Sequence, residues 1–158
     1  MLKFLKNLFA KKHSDKESNK SETYKDLEDY DVIEAVAVML LRAANIDGHK
    51  DEKEILLIKK LLNEQFSLNP SEVELLISSS SKKEEESADL YKWSKIINDN
   101  YSKEKKNIVF GLMCEIVNAD DVIDPFESNF IRRLSGLLYI SDKEAGMIKK
   151  KILGAKEK

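Results

Sequence analysis

The stretch that decides the fold is Asn45–Glu54, NIDGHKDEKE, which returns 73 residues later as Asn118–Glu127, NADDVIDPFE. Three acidic residues match between the two copies, and an apolar run with helical spacing precedes and follows each copy. This pattern predicts a duplicated helix–turn–helix with carboxylates at its corners, which we call the first and second acidic corners. The matched residues are Asp47, Asp51 and Glu54 in the first corner and Asp120, Asp124 and Glu127 in the second.

The composition predicts one soluble, helix-rich domain. The chain has 158 residues, of which 35% are charged and 42% hydrophobic, with only five glycines and two prolines, so few β-hairpin turns are expected. The single cysteine, Cys114, excludes an internal disulfide framework and fits a reducing compartment. No stretch approaches the roughly 18 apolar residues of a membrane span, and no secretory signal is recognisable. We therefore expect a cytoplasmic protein.

The charge is unevenly distributed along the chain. The net charge is −2, but residues 1–25 carry seven lysines and three acidic residues, which leaves the remainder at about −6. Because duplex binding depends on clustered lysine and arginine, an acidic body disfavours nucleic acid as a partner. A protein partner of unknown identity is the expectation.

The periodicity of apolar residues predicts an all-α fold with about seven helices. Short polar breaks favour antiparallel neighbours, and spacings of three and four predict helices with one buried face. The Ser78–Ser81 run is expected to end the third helix. Leu68–Glu72 aligns with Ile140–Glu144 after one gap, so the fourth helix connects two duplicated three-helix halves. The predicted helices lie near 29–46, 52–66, 70–80, 84–100, 103–119, 125–138 and 142–153.

The chain divides into a basic amphipathic segment at 1–12, a flexible polar tether at 13–28, the helical domain at 29–153 and a tail at 154–158. The first segment places apolar side chains on one helical face and most lysines opposite. Such a segment contacts an anionic membrane surface or a partner's groove, or packs on its own bundle, and the pattern leaves these open. Its candidate contact residues are Leu2, Phe4, Leu5, Leu8, Phe9, Lys3, Lys6, Lys11 and Lys12.

Some carboxylates of the corners are explained by helix capping. Asp51 and Asp124 each precede a glutamate by three residues, which is the capping-box form. The same form recurs at Asp31, Asn69 and Ser141, where it also predicts helix starts.

Capping does not account for the two remaining aspartates of the corners, Asp47 and Asp120. Asp47 and Asp120 extend apolar stripes at helix C-termini, where the macrodipole disfavours negative charge. Glu54 and Glu127 begin apolar stripes and are expected to face inward. Inward carboxylates need a compensating partner, either an amide, Lys or Arg network, with Arg132 or Arg133 as candidates, or a divalent cation that takes oxygen ligands. Both interpretations stay open at this point.

The sequence gives no sign of catalysis. It contains two histidines, and it has no nucleophile–base constellation, no Walker loop, no GxGxxG and no CxxC. We expect that the protein is not an enzyme.

The two acidic corners resemble those of a known family. The phrase Ala44-Asn-Ile-Asp-Gly48-x-x-Asp-x-x-Glu54 and its counterpart ending Glu127-x-x-x-Ile-Arg-Arg-Leu are similar to the paired corners of the tellurite-resistance TerB-like family. This domain also occurs at the N-terminus of the membrane-anchored co-chaperone DjlA. The chain departs from the family at Asp121, where glycine is usual, and it lacks a His-Pro-Asp motif.

The resemblance implies a seven-helix TerB-like bundle in a bacterial, cytoplasm-facing and stress-associated protein. It also implies a metal site built from the corner acids. We therefore expect a non-enzymatic binding or scaffold domain with a divalent-cation site. The alternative is a membrane-peripheral adaptor that acts through residues 1–12, with structural corners. The implied metal ligands are Asp47, Asp51, Glu54, Asp120, Asp124 and Glu127.

Overall fold

The computed structural model describes residues 22–46, 52–86, 89–117 and 125–156, which form seven α-helices and contain no strand. The predicted all-α class is confirmed. The helices, numbered here in chain order, are α1 Glu22–Ala44, α2 Glu52–Phe66, α3 Pro70–Glu86, α4 Leu90–Asn100, α5 Lys103–Val117, α6 Pro125–Leu137 and α7 Asp142–Lys156.

Two equivalent turns support the predicted duplication of the fold. Ser67, after α2, and Tyr139, after α6, are the non-glycine residues with positive φ in the described chain, at 54° and 58°. The next helix then starts on an equivalent N-cap: Asn69 Oδ1 accepts from the Glu72 N–H at 2.8 Å, and Ser141 Oγ accepts from the Glu144 N–H at 3.2 Å. α1–α3 and α5–α7 are therefore matching halves, with α4 between them.

The first helix of each half lies at the centre of the molecule. α1 packs against α2, α3, α4 and α5, and every residue from Val32 to Leu41 is buried. Residues 108–114 of α5 are likewise all buried, since α5 contacts α1, α2, α6 and α7. The expectation of one buried face per helix is wrong for these two. Over residues 32–41 and 108–114 the neighbouring helices leave no solvent side, and so the apolar runs there are nearly continuous.

The capping form at Asp31 does not start a helix. α1 begins at Glu22, seven residues before the predicted start, so residues 22–28 of the predicted tether are helical. Asp31 lies exposed inside α1, and Glu34 is buried at 4% exposure. Glu34 instead accepts hydrogen bonds from Lys83 and Ser79 of α3.

The serine run does not end α3, which continues to Glu86. Ser80 is fully buried, and the Ser79 hydroxyl contacts the Leu76 carbonyl at 3.2 Å and Glu34 Oε2 at 3.0 Å. Contacts with α1 therefore outweigh the weak helix propensity of serine. Because α3 continues to Glu86, α4 begins at Leu90 rather than near residue 84, with Asp89 as its N-cap.

The connector α4 is fastened to both halves. Trp93, at 4% exposure, belongs to the same core as α1. Asn98 Nδ2 donates to the Leu137 carbonyl at the end of α6, over 2.9 Å.

α7 ends at Lys156, three residues beyond its predicted end. In chain order, the first acidic corner connects α1 to α2, and the second connects α5 to α6.

Candidate functional site

The first acidic corner joins the central helix α1 to the outer helix α2. α1 ends at Ala44, and α2 begins at Glu52, so Glu54 lies in the first turn of α2. Its side chain is buried, at 7% exposure, on the stripe that continues with Ile58 and Leu61. The inward orientation predicted for Glu54 is confirmed. Its position suits a carboxylate, because the positive end of the helix dipole favours negative charge there.

The second acidic corner repeats this arrangement between α5 and α6. α5 ends at Val117, and α6 begins at Pro125, the first helical position, where a missing N–H costs nothing. Glu127 lies in the first turn, equivalent to Glu54, and its Oε2 atom is buried. Its stripe continues with the buried Ile131 and Leu134. The structure thus directs one carboxylate of each corner towards the interior.

The other predicted ligands lie outside the described residues. These are Asp47, Asp51, Asp120 and Asp124, and the nine contact residues of segment 1–12 lie outside as well. Across 22–46, 52–86, 89–117 and 125–156, no group of three or more His, Cys, Asp or Glu side chains is arranged to hold a metal ion. The proposed ligand set therefore depends on Glu54 and Glu127 together with aspartates whose positions are not described.

The arginines of the described chain differ in their exposure and contacts. Arg132 and Arg133 are both exposed on α6. Arg42 is directed to α3, where its Nε lies 3.4 Å from Glu84 Oε1 and its Nη2 donates to the Glu84 carbonyl at 3.3 Å. Glu84 is 2% exposed. Arg42 thus compensates a buried carboxylate of the first half.

A second buried carboxylate of the first half was not identified as a site from the sequence. Glu34 of α1 accepts from Lys83 Nζ and from Ser79 Oγ of α3, and Ser79 Oγ lies 3.3 Å from the Tyr30 hydroxyl. The hydrogen bond to Glu34 raises the pKa of Lys83 above its ordinary value. The missed signal was a glutamate inside the apolar run of a central helix. Its partners lie 45 to 49 residues away, so spacing alone does not identify them.

Cys114 is a core residue. Its side chain is 2% exposed on α5, and burial raises the pKa of the thiol to about 12. The protonated thiol is a poor nucleophile and a poor metal ligand at neutral pH.

No helix in the described part of the chain is long and apolar enough to cross a membrane.

The chemistry available at the corners is that of hard oxygen ligands. Two inward glutamates at equivalent first turns, each beside two aspartates in the sequence, provide carboxylate oxygens suited to a divalent cation. The chain matches the family model described as tellurite resistance protein TerB over residues 33–150. No curated protein and no solved structure gives a significant match. The matched range runs from α1 into α7 and includes both corners, and the chain therefore belongs to the TerB family.

Proposed function

We propose that the protein is a non-enzymatic binding or scaffold module whose two acidic corners take a divalent cation. The observation that carries this proposal is the burial of Glu54, together with the buried Oε2 of its counterpart Glu127. A cap alone does not require an inward carboxylate at both equivalent positions. Carboxylates withdrawn from water are costly unless compensated, and a cation compensates several of them at once.

The residues that would hold the cation are Asp47, Asp51 and Glu54 of the first corner and Asp120, Asp124 and Glu127 of the second. A bound cation would neutralise their mutual repulsion and fix the links between α1 and α2 and between α5 and α6. These links hold each central helix to its outer helix. Cation binding would then order the surface at the corners, and we propose that a protein partner recognises that ordered surface.

Thermal unfolding tests the proposal. The wild type and the Asp47→Asn/Asp120→Asn variant are melted in EDTA and then with Ca²⁺, Mg²⁺, Mn²⁺ or Zn²⁺. A cation at 100 times its dissociation constant stabilises the native state by roughly 2.7 kcal/mol, a shift of several degrees. We expect this shift in the wild type and not in the variant.

The control is Asp99→Asn, which removes an exposed carboxylate on α4 that contacts only Lys95 in the described structure, at 2.7 Å. This variant should keep the full cation response. If no cation moves the wild-type melting temperature, or if both variants respond alike, the corners are a capping and hydrogen-bonding device.

A second function rests on the N-terminal sequence. Residues 1–12 combine the apolar residues Leu2, Phe4, Leu5, Leu8 and Phe9 with four lysines, a pattern that favours peripheral contact with an anionic membrane at the cytoplasmic face. This adaptor function leaves the corners purely structural. Removal of residues 1–20 should then release the protein from anionic vesicles without changing its melting temperature. Full retention on vesicles would exclude the adaptor function.

A further inference from the structure

The outer face of α7 carries an exposed basic stripe, which we call the α7 stripe. It consists of Lys143, Met147, Lys150 and Lys151, at positions i, i+4, i+7 and i+8, all exposed. This spacing places the four residues on one side of the helix. The opposite side includes the buried Ala145 and Ile152 and packs on α5. The stripe therefore faces solvent, because the opposite side of α7 packs on α5.

The equivalent helix of the first half lacks this charge. With Glu72 matched to Glu144, Lys143, Met147 and Lys150 correspond to Ser71, Leu75 and Ser78. Leu75 and Met147 are both large exposed hydrophobic residues, at 71% and 55% exposure. An exposed apolar residue is thus common to both halves, whereas the lysines beside it occur only in the second.

The contrast extends to the whole of the two helices. α7 contains five lysines and two acidic residues, a formal charge of +3, and α3 contains two lysines and five glutamates, a formal charge of −3. Glu144, which borders the stripe, binds Lys103 Nζ at 2.7 Å. The basic charge of α7 is therefore local, in a chain whose net charge is −2.

An exposed aromatic residue lies at the N-terminal end of α7. Tyr139 is 75% exposed, and Lys106 Nζ lies 5.5 Å from the centre of its ring. Its φ of 58° is a conformation that costs a tyrosine roughly 1–2 kcal/mol. The turn holds this large aromatic side chain in solvent next to Lys106, and Lys143 of the stripe follows four residues later in the sequence.

We propose that the α7 stripe, with Tyr139, docks on an anionic lipid surface. Lysines attract such a surface, while exposed Met and Tyr side chains enter the boundary between headgroups and acyl chains. The acidic α3 is repelled, so the attraction also orients the molecule. A soluble polyanion such as heparin satisfies the lysines but provides no apolar layer for Met147 and Tyr139. Charge complementarity and the exposed apolar residues together favour lipid.

Vesicle sedimentation of the full chain tests the proposal. The vesicles are pure phosphatidylcholine or phosphatidylcholine with 30% phosphatidylglycerol, at low and physiological salt. Each lysine contributes about 1 kcal/mol near an anionic surface, so Lys143→Ser/Lys150→Ser should weaken binding by about tenfold or more. The matched control, Lys60→Ser/Lys82→Ser, removes two exposed lysines from α2 and α3 and should leave binding nearly unchanged.

A second pair of variants separates lipid docking from attraction to any polyanion. Met147→Ser should weaken vesicle binding several-fold and leave binding to heparin unchanged, because heparin has no apolar layer. Leu75→Ser, at the equivalent position of α3, should affect neither. These exposed positions contribute little to folding, so the melting temperature of each variant should match the wild type.

The N-terminal segment is tested in the same assay by Lys3→Ser/Lys6→Ser in the full chain. The α7 substitutions should weaken binding in this background as well. Absence of binding to anionic vesicles, equal binding of the α7 and control variants, or loss only on changing residues 3 and 6 would overturn the proposal. Equal dependence of heparin and vesicle binding on Met147 would also overturn it.

Discussion

The halves α1–α3 and α5–α7 share turns, caps and corners but differ in how the third helix attaches to the first. In the first half the contact is charged: Lys83 and Ser79 bind the buried Glu34, and Arg42 binds the buried Glu84. In the second half the buried contact is apolar, with Gly111 of α5 lying against Ile148 and Ile152 of α7, and the Lys103–Glu144 ion pair lies where Lys103 is 68% exposed. The duplicated backbone thus tolerates two kinds of interface, while the inward glutamate of each corner is retained in both.

The largest expected effect comes from breaking the charged interface. Arg42→Met keeps the alkyl stem but removes the charge beside Glu84, which is 2% exposed. Loss of one partner from a buried pair costs 3–5 kcal/mol, and we expect about 3 kcal/mol because Arg42 is 26% exposed. The melting temperature should fall by roughly 6–12 °C.

The matched control for Arg42 is Lys59→Met, which removes an exposed ion pair with Glu74 at 2.7 Å. Exposed pairs contribute under about 1 kcal/mol, so this variant should melt within about 3 °C of the wild type. Equal melting temperatures for the two variants would mean that the charged interface contributes no more than a surface pair.

A smaller effect, of opposite sign, is expected in the apolar interface. Gly111 lies inside α5, and a Cβ atom built there would lie 3.5 Å from Ile152 Cδ1 and 3.6 Å from Ile148 Cγ2, ordinary contact distances. Gly111→Ala should raise the free energy of unfolding by about 0.5–1 kcal/mol, because alanine favours the helix. Urea unfolding measures this gain. A loss of stability would show that α5 and α7 need the closer approach that glycine allows.

The equivalent turns should differ in their response to glycine. Ser67→Gly and Tyr139→Gly both relieve a positive φ and should stabilise by up to about 1 kcal/mol. The gain should be smaller at Tyr139, because this substitution also removes the ring contact with Lys106. Thermal unfolding of the two variants compares the turns directly. A larger gain at Tyr139 would contradict a stabilising role for that contact.

The smallest effect concerns Cys114 of the second half. Its equivalent in the first half is Leu41, and both side chains are buried. Its folded pKa of about 12 lies above the usual thiol value near 8.5. The unfolded thiol therefore loses its proton first, and this residue's contribution to stability, complete below pH 8.5, declines as pH rises towards 12. A thiol reagent at pH 8 should react with the unfolded chain and only slowly with the native protein. Comparable rates would mean that the thiol is accessible.

Much of the fold could be predicted from sequence because its determinants are local. The duplicated corner fixed the order of helices, and the N-caps Asn69 and Ser141 mark helix starts by residue type alone. The errors arose where distant contacts decide the structure. Ser79 and Ser80 continue α3 because α1 lies beside them, and Glu34 is buried because Lys83 reaches it from 49 residues away.

The candidate site was predictable only in part. The inward position of Glu54 and Glu127 follows from their place at the start of apolar stripes, and the structure agrees. The choice between a cation and a polar network depends on the distances between carboxylate oxygens of the two corners. These corners are far apart in the sequence, so the spacing of residues along the chain does not give those distances. The basic stripe of α7 was visible in the sequence as Lys143, Met147, Lys150 and Lys151, but its significance required the comparison with the exposed Leu75 of α3.

A cation site at the corners is tested most directly by calorimetric titration of Ca²⁺, Mg²⁺, Mn²⁺ and Zn²⁺ into the wild type, Glu54→Gln and Glu127→Gln. We expect saturable binding of at least one of these cations to the wild type, and a loss of affinity in each variant, because both corners supply an inward carboxylate. Glutamine keeps the size of the side chain and one acceptor oxygen but removes the negative charge, so a site that binds the cation through these carboxylates should lose affinity. Absence of binding to the wild type, or equal affinities in all three proteins, would contradict a cation site at the corners.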